Sequence, residues 1–124
     1  MLLVQRSGDM LTASGPGGIN EIQYAAFLMM IARHTGYEPG VFSHIVANEQ
    51  IYDRHIEAAD EMVYRYQKMA DKRVMDHVFE GIQHPAPQLI LNPEAKNFFE
   101  MTIDDFTIKD YNPMKPQLKL ELGI

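Results

Sequence analysis

The chain contains no cysteine and no tryptophan. Without cysteine it forms no disulfide and no thiolate metal site, and it has no thiol nucleophile of its own. That absence suits the cytoplasm, which is the expected location. Positive charge is scarce as well: 11 Lys and Arg stand against 17 Asp and Glu, for a net charge of −6. This balance excludes a general nucleic-acid binder, which needs a basic face, so no DNA partner is expected. It leaves room for a mononucleotide site, because one or two arginines hold a single phosphate locally. Long apolar runs are missing too. Met1-Leu2-Leu3-Val4 is too brief for a signal peptide. The longest run, Tyr24 to Ala32, falls far short of a membrane span, so no membrane partner is expected. Internal repeats and low-complexity tracts are absent.

What is present fits one domain over residues 1–124. The length of 124 residues allows a modest core, and 46% hydrophobic residues is ordinary for a globular protein. Leu2 to Arg6 reads as a strand running into a polar end. Gly15-Pro16-Gly17-Gly18 is a turn cluster. Ile19 to His34 has helical length and is apolar on nearly every side, which predicts a buried helix ended by Gly36. Val41 to Tyr52 is rich in apolar and β-branched residues and predicts a strand. Asp53 is placed to cap a long helix whose apolar stripe runs through Ile56, Ala59, Val63, Tyr66, Ala70, Val74 and Val78, with Gly81 and Pro85 as its end. Short strands are predicted at Gln88 to Leu91, Thr107 to Tyr111 and Gln117 to Leu122, with a capped turn at Thr102 to Phe106 and another turn at Asn112-Pro113. The nine methionines fall mostly on helical stripes, as core filler. The layout is α/β of the α+β type, with antiparallel pairing around a central buried helix.

Several polar residues could carry chemistry, each with a plainer reading beside it. Arg6 and Ser7 adjoin at a strand end, where a guanidinium and a hydroxyl can share one phosphate; equally they are a surface arginine beside a loop serine. Asn20 follows the glycines near a helix start. Its amide can pair with a pyrimidine edge, or it satisfies the first helical turn. The glycine turn could admit a ligand to the helix amino terminus, or is only a turn. Gln50 and Tyr52 alternate along a strand and share a face, suited to a sugar hydroxyl or simply polar at a strand end. His34, His44, His55, His77 and His84 show no metal-site spacing and read as scattered structural or surface residues, so no metal is expected. Glu57, Asp60 and Glu61 lie in the first turns of the long helix, a solvated face opposing its positive end.

Taken in order, these features resemble thymidylate synthase. The resemblance rests on Gln5-Arg6-Ser7-Gly8-Asp9, the glycine turn, Asn20 with Tyr24, then Gln50-Ile51-Tyr52. It continues through Thr102-Ile103-Asp104-Asp105-Phe106, Tyr111-Asn112-Pro113 and a closing strand, and runs from Leu3 to Ile124. It implies a thymidylate synthase-like mixed sheet packed on a buried central helix, as a partial fold. It implies reductive methylation of deoxyuridine monophosphate (dUMP) to dTMP, with 5,10-methylenetetrahydrofolate as cosubstrate. By position, Arg6 and Ser7 would bind the phosphate and Asn20 the uracil ring. Tyr52 would hold the 3′-hydroxyl, with Gln50 beside it. Asp9 would contact the pterin, and the terminal carboxylate of Ile124 would help close the site over the folate.

The sequence also departs from that family. Gln50 stands where the family usually has His, and Asn48 where it has Asp. The loop between Asp9 and Asn20 is longer than usual, as is the helix from Asp53 to Gly81. The family's nucleophile is a Cys in a Pro-Cys-His context that would lie upstream of the first residue here; it adds to carbon six of the uracil ring and makes carbon five nucleophilic toward the folate methylene. The expectation is therefore a carboxy-terminal portion without the cysteine half, with no catalytic residue of its own. It would work as a homodimer or with a missing amino-terminal half, whose arginines complete the phosphate site. Two other readings stay open: a non-catalytic nucleotide-binding module, and an inactive gene fragment.

Overall fold

The computed structural model describes residues 1–15, 18–78, 86–95 and 97–121, and the side chains of 72–78 are outside that description. The chain opens with strand β1 (Leu2–Gln5), strand β2 (Gly8–Asp9) and a π-helical turn (Met10–Ser14), then enters helix α1 (Ile19–Thr35). Strands β3 (Ser43–Val46) and β4 (Glu49–Gln50) follow, then a 3-10 turn (Asp53–His55) leading into helix α2 (Ile56–Val78). Strand β5 (Gln88–Leu91), two 3-10 turns (Phe98–Glu100 and Ile103–Asp105) and strand β6 (Phe106–Lys109) complete the elements. These mixed helices and small sheets make an α/β fold.

The pairing is mixed rather than antiparallel throughout. β1 pairs with β3 in parallel, with Leu3 opposite His44 and Gln5 opposite Val46. β2 pairs with β4 in parallel. Among the described residues only β5 and β6 run antiparallel, with Leu89 opposite Ile108. The reason is α1, which lies between the first two strands and the next two; it carries the chain back to its start, so β3 and β4 enter in the same direction as their partners. The single strand expected over Val41 to Tyr52 is split at Ala47 and Asn48, opposite the break at Arg6 and Ser7. Backbone bonds from Ala47 to Gln5 (3.0 Å) and from Gly8 to Asn48 (2.9 Å) carry the ladder across. Side chains alternate across the β1–β3 pair. Leu3, Gln5, His44 and Val46 are half-buried on the inner face, whereas Leu2, Val4, Ser43 and Ile45 are exposed on the outer one.

Helix α1 ends where Gly36 takes a left-handed conformation (φ 78°) and donates its N–H to the Ala32 and Arg33 carbonyls. Its start is set by Gly18, whose N–H bonds the Gly15 carbonyl at 2.7 Å. Complete burial, expected from its composition, does not hold. Ala32 is buried, but Ile22 and Phe27 keep 49% and 41% of their surface exposed. The chief neighbours of α1 are the π-helical turn, β5 and the Phe98 turn, which cover it on one side. There Phe27 meets Phe98 edge-on at 6.0 Å. Arg33 Nη1 reaches the Asn92, Pro93 and Ala95 carbonyls at 3.0, 3.0 and 3.3 Å, tying the loop after β5 to the helix.

The apolar stripe expected on α2 is covered only in part, at Ala59 and Ala70. Ile56, Val63 and Tyr66 are exposed, while Ala58, Met62, Arg65 and Met69 make the half-buried face. Composition misled here because long stems such as those of Arg65 and Met62 cover area as well as β-branched residues do. Asp53 does not cap the helix from outside; it begins the 3-10 turn, which the Tyr52 carbonyl closes by accepting from His55 N at 2.8 Å. The expected helix end at Gly81 and Pro85, and the side chains of Val74 and Val78, lie outside the described residues. The turn at Thr102 forms as expected, with Asp105 accepting from the Thr102 N–H at 2.9 Å.

Gln117 to Glu121 is not a strand among the described residues, although Leu118 and Leu120 are half-buried between exposed neighbours. This segment lies along α2 instead. Arg65 donates to the Pro116 carbonyl and His55 to the Glu121 carbonyl, each at 2.7 Å. The helix covers about 15 Å between those two donors, and an extended chain covers about 16 Å between those two acceptors. The segment therefore runs antiparallel to α2, and its alternation reflects packing on a helix rather than on a strand.

Candidate functional site

The amino end of α1 meets the inner face of the β1–β3 pair, and there the polar side chains converge. Gln5 donates through Nε2 to the Ser7 carbonyl at 2.7 Å. Its Oε1 then accepts from Asn20 Nδ2 at 3.1 Å and faces His44 Nε2 at 3.0 Å. His44 Nδ1 lies 2.8 Å from Glu21 Oε1. The strand period puts Gln5 and His44 on one face, and the helix start places Asn20 and Glu21 consecutively above them. His44 is well covered, with 10% side-chain exposure, and its ring stacks on Phe42. Asn20 is thus bonded across to a strand, so its side chain is not taken up by its own helical turn.

Arg6 and Ser7 are exposed at the break in the ladder, immediately beyond Gln5. No carboxylate among the described residues pairs with Arg6. Asp9 is turned toward its own chain. Its carboxylate accepts from Leu11 N at 3.2 Å, Thr12 N at 3.4 Å and the Thr12 hydroxyl, capping the π-helical turn. A carboxylate has about four acceptor sites, so one is left over. β2–β4 pairing sets Asp9 opposite Gln50, which is exposed. Glu49 points the other way and accepts from the buried Ser14 hydroxyl at 2.6 Å. Tyr52 lies just past β4 with its ring edge on His55 at 5.8 Å. His55 is 1% exposed. Ile124 lies outside the described residues. No group of three metal-ligating side chains occurs among the described residues, and no described helix is long and apolar enough to cross a membrane.

The thymidylate synthase family model matches residues 1–124. The chain belongs to the thymidylate synthase family. It is 41% identical over 123 residues to a thymidylate synthase of Streptococcus suis and 42% identical to one of Lactococcus lactis. Each alignment covers 98% of this chain but 38% of the relative, so the chain spans well under half the length of the thymidylate synthases it matches. The fold is similar to that of the thermostable thymidylate synthase A from Bacillus subtilis, with a TM-score of 0.66 at 32% identity. That likeness covers 93% of this chain and 34% of the other.

Of the residues singled out by their resemblance to thymidylate synthase, Ser7 and Asn20 are joined here through Gln5, and Asp9 and Gln50 through the β2–β4 pair. Arg6 lies just past β1, and Tyr52 just past β4 with its ring against His55. Gln5, Glu21 and His44 carry most of the polar contacts but were not among the residues expected at the site. Gln5 and His44 lie 39 positions apart and meet only through the parallel register, which the strand pattern does not reveal. The one local signal was the two-residue spacing of Gln5 and Ser7 on a strand end.

Proposed function

We propose that this chain carries the nucleotide-binding portion of a thymidylate synthase that reductively methylates dUMP to dTMP with 5,10-methylenetetrahydrofolate. The observation that carries the reading is the Asn20 amide, held by Gln5 beside the Arg6–Ser7 strand end. Arg6 and Ser7 would take the phosphate, which suits an exposed guanidinium beside a hydroxyl. Asn20 would meet the uracil edge, Tyr52 and Gln50 the deoxyribose, Asp9 the pterin through its remaining acceptor site, and Ile124 the folate. A cysteine from another stretch of polypeptide would add to carbon six, leaving carbon five to attack the folate methylene. Work as a homodimer fits the exposed Leu2, Val4 and Ile45 on the outer sheet face, and the cytoplasm suits a sequence without cysteine.

A second reading is favoured by the lack of cysteine in the sequence: a module that holds the nucleotide without chemistry. One experiment separates the two. The chain is mixed with the cysteine-bearing amino-terminal half of a related thymidylate synthase, and dTMP and oxidised folate are measured. Turnover that disappears in Arg6→Ala supports the enzyme. Saturable dUMP binding without turnover supports the module. Neither binding nor turnover leaves an inactive fragment.

A further inference from the structure

We infer that His44 and Glu21 are positioning residues that, acting through Gln5, lock the Asn20 amide in one orientation and so make the site choose uracil over cytosine. This rests on the reading of Asn20 as the pyrimidine contact.

An asparagine amide has an oxygen that accepts and a nitrogen that donates, and a half-turn exchanges them. Uracil presents a donor at N3 and an acceptor at O4. Cytosine presents an acceptor at N3 and donors at N4. A freely turning amide therefore suits either base, and selectivity requires that the turn be blocked.

The block is built from neighbours outward. Gln5 Nε2 donates to the Ser7 carbonyl at 2.7 Å, which fixes where Gln5 Oε1 points. That oxygen has two lone pairs; Asn20 Nδ2 takes one at 3.1 Å and His44 Nε2 the other at 3.0 Å. Turning Asn20 would set its oxygen against Gln5 Oε1, with two acceptors facing each other. Turning Gln5 to accommodate it would set a donor against the His44 donor and an acceptor against the Ser7 carbonyl. Glu21 holds the ring in place: its Oε1 meets His44 Nδ1 at 2.8 Å, which keeps Nε2 aimed at Gln5 Oε1. Both ring nitrogens thus face oxygens, Gln5 Oε1 on one side and Glu21 Oε1 on the other. Glu21 in turn is hemmed in, since any side chain at Gly18 would come within 2.6 Å of its Oε2.

The test is a ratio rather than an affinity, because a merely structural role would weaken both nucleotides alike. Dissociation constants for dUMP and dCMP are measured by titration calorimetry on the chain, alone and with an amino-terminal half added. The variants are Asn20→Asp, His44→Phe, His44→Gln and Glu21→Leu. The expected result is a dUMP preference in the parent chain that falls about tenfold in His44→Phe, the scale of one polar group left without its partner. Glu21→Leu should lower it in the same direction, and should do so even if His44→Phe fails to fold. His44→Gln keeps a donor toward Gln5 and should retain most of the preference. If Asn20→Asp shifts the ratio toward dCMP while His44→Phe and Glu21→Leu leave it at the parent value, the relay is refuted and the role of Asn20 stands. If Asn20→Asp leaves the ratio unchanged, the reading of Asn20 fails, and the relay with it.

Discussion

Gly18 offers a sharp separation of backbone preference from space. It precedes the first residue of α1 at φ −66° and ψ 156°, an extended conformation open to every residue. On backbone grounds Ser or Asp should be better there, since a side-chain oxygen at this position satisfies free helical N–H groups and adds about 1 kcal/mol. Space argues the reverse. An added Cβ would overlap the Ala13 carbonyl oxygen, lie 2.8 Å from its carbon and come within 2.6 Å of Glu21 Oε2. Two of those atoms are backbone and cannot swing away. Forcing extra atoms into packed structure costs about 2 kcal/mol, which outweighs the cap. At about 2.1 cal/mol/K of unfolding entropy per residue, this is a drop of about 8 °C in melting temperature. We expect Gly18→Ala to fall by this amount in a thermal melt followed by circular dichroism, and Gly18→Ser, which regains about 1 kcal/mol from the cap, by about half of it, with dUMP binding weakened as Glu21 is displaced from His44. A Gly18→Ser chain more stable than the parent would show that the cap, not the space, governs this position, and would refute the reasoning.

His55→Phe keeps the ring against Tyr52 but removes the bond to the Glu121 carbonyl; amide exchange over 117–121 should quicken several-fold while global stability moves by about 1 kcal/mol or less, because the buried Nδ1 without a partner is removed at the same time. Equal exchange in both proteins would contradict this. Arg33→Met should destabilise by about 1–2 kcal/mol in urea, since three carbonyls lose one shared charged donor; Arg33→Lys should recover only part, having no planar fork. Gly36→Ala should lose about 1 kcal/mol to its left-handed backbone alone, because a Cβ there would meet nothing within 4 Å; a neutral effect would mean the helix ends elsewhere.

Much of the fold was legible because its signals are local. α1 begins at Ile19 and runs to Thr35, one residue past His34, and Gly36 ends it as expected. The Thr102 turn forms where its polar pair announces it. The failures share a different cause. Strand direction depends on where the intervening helix returns the chain, so the parallel pairing of β1 with β3 lay beyond residue patterns. The face of α2 that is covered depends on what lies beside it, and the half-buried side proved to be the one bearing Arg65 and Met62. The alternation of Leu118 and Leu120 marks half-burial but not a strand, because period two belongs to any extended chain against a surface. At the site, Arg6, Ser7 and Asn20 were legible through family likeness. Gln5, Glu21 and His44 were not, since their significance is mutual and arises only once three separate elements are brought together.

The segment from Pro116 to Glu121 is held to α2 at each end by its own carbonyl oxygens, not by its side chains. Such an attachment is indifferent to spelling and sensitive to count. Exchanging Lys119 or Glu121 for other residues leaves both carbonyls where they are. Adding or deleting a single residue moves one anchor by about 3.3 Å relative to the other, more than a hydrogen bond tolerates. Sequence drift along this stretch is therefore cheap, whereas a one-residue change in its length detaches it from either Arg65 on α2 or His55 in the turn before it.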